Sequence, residues 1–259
     1  MDHWEQLTTE DHRMTSETVT GSDYGNVVRD HLVRVEHHNA SALDDVAELV
    51  LASVLADGMI LTAGAGHSLA AVAETFYRAG GLACVRPVYH PELLPMHGAI
   101  SSTAAERRTG LAAEVLRDTG LAAHDVLFVF STSGVNPYPV ELAIQAVDAG
   151  CPVVAVTSVA ASALAPRRAG TTLAEVATVV LDNVVPPGDA TYPTDEPVTA
   201  AISTIATAFL WNLLMVRLFD KAAEQNVHLP LWRSANVEGG DAANADLLRH
   251  YQTRIPQLG

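Results

Sequence analysis

The chain has 259 residues, 49% of them hydrophobic, and a formal net charge of -15. That is enough for one large α/β domain or two small ones with a sizeable core. The acidic balance excludes a general partnership with nucleic acid or an anionic membrane, so a bound anion must be met by local backbone and hydroxyl donors.

Residues 1–22, beginning "MDHWEQLTTEDHRM", read as a loose polar arm with neither signal-peptide nor transit-peptide character, and a cytoplasmic protein is expected. The remainder, 23–259, reads as a single domain. Helical spacing covers 27–35 and 43–55, with Ser41 a plausible N-cap for the second helix. The pattern then changes. A short apolar strand at 59–63 leads into "GAGHS" and a helix from 69 to about 78, ended by the glycine pair at 80–81. A second strand covers 82–88, followed by the loop "YHPELLPMHGAISS" and a helix over about 104–117.

The third strand, 126–130, runs straight into "STSGVNPYPVELA", which opens a helix to 149. The fourth and fifth strands are at 153–157 and 176–181. A Pro-rich loop follows, then a long apolar helix over 198–225, an irregular stretch, and a last helix over 241–251. Strands alternating with helices and apolar along their whole length mean a parallel, doubly wound α/β sheet. Ligands of such sheets bind at the carboxyl ends of the strands, near the point where strand order reverses.

Segment 198–216 carries no charged residue, but it holds Thr199, Ser203, Thr204, Thr207 and Asn212 and lacks a basic flank, so it reads as a buried or dimer-interface helix and no membrane span is expected. Cys84 and Cys151, the two cysteines, sit in apolar runs as core residues. The single lysine, Lys221, lies among charged residues on a solvated helix end, which argues against Schiff-base chemistry. No metal is expected: His37 and His38 are adjacent on a helix and cannot face one way, and no H-E-x-x-H motif occurs.

Two strand ends carry chemistry. In "GAGHS" two glycines permit a tight turn, and Ser68 stands at a helix start, where free N–H groups favour an anion. The third glycine of a dinucleotide fingerprint is replaced by Leu69, the next strand ends near Arg86 in place of an acidic residue, and no Walker loop occurs, so no cofactor is expected. In the second loop, Ser131, Thr132 and Ser133 supply hydroxyls, Gly134 frees the backbone, and Pro137 opens a helix after Asn136. The flanking glycines of a nucleophile elbow are missing. Two hydroxyl-bearing loops on one sheet suit a single phosphate group better than a nucleophile or a bare turn.

"GAGHS" followed by "STSGVNPYPVELA" on a parallel sheet resembles the SIS (sugar isomerase) domain over about residues 40–225. The glycine loop, the "SG-x-x-PY" helix start and Gly150-Cys151-Pro152 resemble the N-acetylmuramic acid 6-phosphate etherases in particular. The "SAN…GG" segment at 234–240 resembles a family of bacterial SIS proteins. The resemblance implies a five-stranded, flavodoxin-like parallel sheet with extra helices at both ends. It also implies a phosphosugar ligand held by Gly66, His67, Ser68, Ser131, Thr132 and Ser133. Asn136 stands where many SIS proteins have threonine.

The same resemblance implies catalytic residues. The etherases use carboxylates to take the C2 proton and help the C3 group leave. One of their glutamates aligns with Glu106, otherwise a solvated helix residue. The other aligns with Arg78, leaving Glu74, one turn earlier, as a substitute or as a helix glutamate holding a loop. "PELLPMHG" is similar to a loop of the glucosamine-6-phosphate synthase isomerase domain whose histidine opens the sugar ring and reaches a neighbouring subunit's site, which makes His97 a proton carrier or an ordinary loop histidine. The resemblance thus implies a lyase or dehydratase acting on N-acetylglucosamine 6-phosphate or N-acetylmuramic acid 6-phosphate, with an aldose–ketose isomerase and a non-catalytic phosphosugar sensor as alternatives. It also implies a homodimer or higher homo-oligomer with shared sites.

Overall fold

The computed structural model describes residues 24–259; the arm expected over 1–22 lies outside them. The centre is a parallel sheet of β1 (Ile60–Gly64), β2 (Val85–Val88), β3 (Val126–Phe130), β4 (Val153–Thr157) and β5 (Val179–Asp182), in the order β2-β1-β3-β4-β5. Every residue of β1, β3 and β4 is buried, as layers of helix on both faces require. β1 pairs with both β2 and β3, Ala63 lying opposite Val88 on one side and Val129 on the other. The chain leaves β1 outward to β2 and returns across it to β3. The crevice between the carboxyl ends of β1 and β3 is therefore where strand order reverses.

Two helices precede the sheet: α1 (Tyr24–His38) and α2 (Ala40–Leu55). α2 lies on one face together with α3 (Leu69–Thr75) and the long α9 (Ser203–Glu224). The other face carries α5 (Leu111–Leu116), α6 (Pro137–Asp148) and α8 (Leu173–Val176). α4 (Ala99–Glu106), α7 (Val159–Leu164) and α10 (Gly240–Tyr251) complete the helices. On α9 the buried residues Ala206, Leu210, Leu214, Leu218 and Ala222 recur every four positions and face α2, while Trp211 meets Phe128 of β3 edge-on at 5.3 Å. Val216 and Phe219 remain exposed on the other side. Among the described residues no helix is long and apolar enough to cross a membrane.

Several boundaries differ from the sequence expectation, each for a tertiary reason. Ser41 is not the cap of α2. The single residue between α1 and α2 is Asn39, which is buried and bonded to distant backbone: its Nδ2 donates to the carbonyls of Val35 and Asp182 (both 2.7 Å) and its Oδ1 accepts from the Asp182 N–H at 2.8 Å. The strand expected over 82–88 keeps only its second half, because the backbone at 81–83 pairs with 230–232 instead: Ala83 N–H donates to Pro230 at 2.7 Å and Trp232 N–H to Gly81 at 2.9 Å. The helix expected over 104–117 is broken between α4 and α5. There Gly110 adopts φ +84°, its N–H donating to Glu141 of α6 at 2.8 Å, and Arg108 reaches Glu92 at 2.9 Å.

The helix expected from 198 begins at Ser203. The preceding residues form a hairpin of β6 (Ala190–Tyr192) and β7 (Thr199–Ala201). The short helices α7 and α8 offer too few turns for periodicity to register, yet each has a sequence-local start: Ser158 Oγ accepts from Ala161 N–H at 3.0 Å, and Thr172 with Glu175 forms a reciprocal capping box. Cys84 and Cys151 are buried core residues whose thiols burial pushes up to about 12. Lys221 is not free in solvent but pairs with Glu48 of α2 at 2.8 Å.

Two consequences are measurable. Asn39→Ala leaves the backbone of Asp182 without partners in a dry site, so unfolding free energy in denaturant titrations should fall by about 2–4 kcal/mol. His31 of α1 is 2% exposed and its Nε2 meets the Asn183 carbonyl at 3.0 Å; burial lowers its pKa from the ordinary 6.5, the Asn183 contact opposing that shift. The unfolded chain therefore binds this proton more readily than the folded one. The stability that neutral His31 contributes is complete above 6.5 and is lost as pH falls from there through the lowered native value. The melting temperature should drop on acidification across that window, with a shallower slope in His31→Gln.

Candidate active site

A cavity of about 560 Å³ opens between the carboxyl ends of β1 and β3. Three backbone segments line it: the glycine loop at 65–68, the serine loop at 131–133 with Asn136, and a wall made by 187–189 and the first turn of α9. Glu106, the last residue of α4, completes the lining.

The serine loop is shaped by what holds its carbonyl groups. The Thr132 oxygen accepts from Ser158 N–H at 2.9 Å and from Thr157 Oγ1 at 3.2 Å. The Ser133 oxygen accepts from Ser162 Oγ at 2.6 Å, and the Gly134 oxygen from Leu173 N–H at 2.7 Å. These donors come from the end of β4, from the N-cap and body of α7, and from the start of α8. In a planar trans peptide the N–H points opposite to the C=O, so the amides of Ser133 and Val135 are turned away from those donors. Gly134 N–H closes the turn on Ser131 Oγ at 3.2 Å. The loop thus presents hydroxyls and amides together, the arrangement of an anion-binding nest.

Gly134 has no substitute here. Its φ is +59°, and a Cβ would sit 2.9 Å from Thr157 Oγ1 and 3.1 Å from Leu173 Cβ. The α8 cap behind it is itself held by charge, since Arg167 and Thr171 bind Glu175 and hold its carboxyl down at about 2. In the glycine loop Gly66 also has positive φ, at +59°, and 66–68 forms a 3-10 turn leading directly into α3. Ser68 caps nothing with its side chain and lines the cavity.

Of the residues expected from the sequence, Gly66, His67, Ser68, Ser131, Thr132, Ser133, Asn136 and Glu106 line this one cavity. Glu106 arrives because α4 ends at it and packs beside the 66–68 turn. Glu74 and His97 are not brought there within the chain. Glu74 lies further along α3 and is held by Arg78 and by Asn212 of α9 at 3.5 Å. His97 is exposed on a 3-10 turn, its Nδ1 at 3.1 Å from the Pro91 carbonyl.

Four residues of the far wall escape sequence reasoning: Asp189, Ser203, Thr204 and Thr207. Asp189 Oδ1 accepts from Ile202 N–H at 3.0 Å and Ser203 N–H at 2.8 Å, and Oδ2 from Ser203 Oγ at 2.6 Å. This carboxylate fixes where α9 starts and places Ser203 and Thr204 at the cavity. The only local signal is a Pro-Pro-Gly-Asp turn, which says nothing of a partner beyond a hairpin. Thr207 receives Asn183 Nδ2 at 3.5 Å, and Asn183 is the carbonyl partner of His31. Among the described residues no group of three or more His, Cys, Asp or Glu is placed to hold a metal ion.

Gly134→Ala should lower stability by about 1–3 kcal/mol through the forced positive φ and the two close contacts. It should also weaken binding of inorganic phosphate, as read by melting curves and titration calorimetry on the same preparation.

A model of the SIS domain matches residues 23–158. The UPF0309 protein of Geobacillus kaustophilus (strain HTA426) is 33% identical over 241 residues, covering 92% of this chain and 96% of that relative. A solved structure of a candidate phosphosugar isomerase from Silicibacter pomeroyi DSS-3 aligns with a TM-score of 0.51 at 19% identity, over 78% of this chain and 50% of that one. Phosphoheptose isomerase GmhA from Neisseria gonorrhoeae aligns with a TM-score of 0.49 at 20% identity, over 75% and 94%. At 19% identity the likeness to the Silicibacter pomeroyi structure speaks to the fold alone. From the domain match and the full-length relative together, the chain belongs to the SIS domain family and to the UPF0309 proteins.

Proposed function

We propose that the protein is an enzyme acting on a phosphosugar, and specifically a carbon–oxygen lyase that eliminates the C3 substituent of an N-acetylhexosamine 6-phosphate. The observation that carries this is the sharing of one cavity by the Glu106 carboxylate and the Ser131–Ser133 loop. The loop anchors the phosphate and leaves the sugar chain to run toward Glu106 and the α9 wall.

The chemistry follows from the open-chain sugar. Ring opening moves a proton from O1 to the ring oxygen and makes C1 an aldehyde, which acidifies the C2 proton. Glu106 takes that proton. The electron pair left at C2 forms a C2–C3 double bond as the C3–O bond breaks. The leaving oxygen takes a proton from the Glu106 carboxyl that has just formed, so a hydroxyl departs as water and a lactyl ether as lactate, and Glu106 returns to its carboxylate. His67, the imidazole that lines the cavity, suits the ring-opening proton transfer. His97 sits beside Met96 and Ile100, which are 80% and 89% exposed, and on this reading it serves a neighbouring copy in a homodimer. Glu74, bound to Arg78 and Asn212, is left a structural role.

A second reading is an aldose–ketose isomerase, favoured by the likeness of the "PELLPMHG" loop to an isomerase domain. It uses the same base and returns the proton to C1 without breaking C3–O.

Incubation with N-acetylglucosamine 6-phosphate in D2O, followed by NMR, separates the readings. Loss of water with a new vinylic signal supports the lyase. A ketose with deuterium at C1, formed in a parallel incubation with glucose 6-phosphate, whose C2 carries the hydroxyl a ketose needs, replaces it with the isomerase, and tight binding without turnover of any hexose or hexosamine phosphate replaces both with a sensor. Glu106→Gln keeps the shape and removes the base, so turnover should fall about 10²–10⁴-fold with substrate affinity little changed. An unchanged rate removes Glu106 from the mechanism.

A further inference from the structure

The helix that follows the serine loop is a poor anion site by itself. Its first three positions are Pro137, Tyr138 and Pro139, and proline has no N–H, so that turn offers one amide where three are usual. Asn136, at the N-cap position, makes no capping bond with its side chain. That side chain is 8% exposed and lines the cavity. Its Oδ1 accepts from Arg168 Nη1 at 3.1 Å. Its Nδ2 makes no hydrogen bond within the chain among the described residues.

A guanidinium donates and cannot accept. Arg168 therefore settles which end of the Asn136 amide faces it: the oxygen is held, and the NH₂ end is left for the cavity. The two neighbouring arginines have opposite fates. Arg167 is neutralised by a two-point pairing with Glu175, at 3.1 and 2.6 Å, which fixes the segment. Among the described residues Arg168 has no carboxylate partner, so its charge is matched only by a neutral amide. In a chain of net charge -15, this exposed cation stands one side chain behind an anion cradle.

We infer that Arg168 is a positioning residue of the phosphate subsite, orienting Asn136 as a hydrogen-bond donor to the phosphate and supplying the positive charge that the proline-rich helix start does not. The inference rests on the phosphosugar reading and adds to it a requirement for a dianionic group next to Asn136. A phosphate monoester oxygen meets the Asn136 NH₂, and the guanidinium behind it lowers the cost of bringing that charge into an acidic protein.

The test uses the full chain and titration calorimetry with inorganic phosphate and with N-acetylglucosamine 6-phosphate at low and high salt. Arg168→Met keeps the length of the side chain and removes donor and charge. It should weaken both ligands about ten- to hundredfold and flatten the salt dependence of Kd, since screening acts on the lost attraction. Arg168→Lys, still a pure donor and cationic, should recover most of the loss. Asn136→Asp, isosteric but without a donor, should abolish phosphate binding while melting near the wild-type temperature. Wild-type protein that binds neither ligand overturns the cradle and the inference with it. Wild-type protein that binds, with Arg168→Met within twofold of it or Arg168→Lys as weak as Arg168→Met, overturns the role of Arg168 alone.

Discussion

The site depends on one constraint: the carbonyl oxygens of Thr132, Ser133 and Gly134 are all held from the side of β4, α7 and α8. A loop at the end of a buried strand has its backbone polar groups in a place where leaving them unpaired costs as much as a lost hydrogen bond. With these three carbonyls satisfied on one side and the Gly134 N–H closed on Ser131 Oγ, the amides of Ser133 and Val135 are left turned to the other, and an anion can satisfy amides. The requirement reaches outward. It needs Gly134 at positive φ, Ser162 within one short helix and Leu173 at the start of another, and the Thr172–Glu175 cap that keeps the second helix in place.

The opposite wall is built by a different device with the same logic. Asp189 collects two backbone amides and a hydroxyl from the start of α9, and in doing so sets the length of that helix and the position of Ser203 and Thr204. α9 is anchored below by its fourfold-spaced contacts with α2 and by Trp211 against Phe128. The cavity is thus bounded on one side by a loop whose carbonyls are withdrawn and on the other by a helix start whose donors are already partly consumed. The two walls differ in chemistry: the first suits a phosphate, the second the hydroxyls and amide of a sugar. The acidic groups of the cavity, Glu106 and Asp189, stand apart from the serine loop in sequence and belong to α4 and the α9 wall, so on the proposed reading the phosphate and the base draw on different elements.

Of the candidate catalytic residues that sequence likeness named, the fold brings Glu106 to the cavity and leaves Glu74 and His97 outside it within the chain. Glu106 aligns by its distance from the serine loop, and that distance is bridged by elements whose ends are fixed on the sheet. Glu74 is the carboxylate one turn before the aligned Arg78, and His97 comes from the similarity of its loop to an isomerase domain. α3 ends at Thr75, so Arg78 lies beyond it and draws Glu74 into an ion pair, and two successive 3-10 turns carry His97 to the surface.

What the sequence determined by itself was the five strands of the central sheet, their parallel arrangement and the two loops at its cavity. Those follow from local facts: five short apolar runs too hydrophobic to face water, and glycines and hydroxyls placed just after two of them. Tertiary structure decided the rest, because it turns on partners far apart in the chain. Asn39 bonds to Asp182, 143 residues away, and so sets the junction of α1 and α2. The 230–232 segment takes hydrogen bonds that would have lengthened β2, and Asp189 trims the apolar helix by bonding 14 residues ahead. Arg168 meets Asn136 across 32 residues and decides which face of an amide the cavity sees. A sequence shows that a residue can donate or accept; only the folded chain brings up the partner that determines which it does.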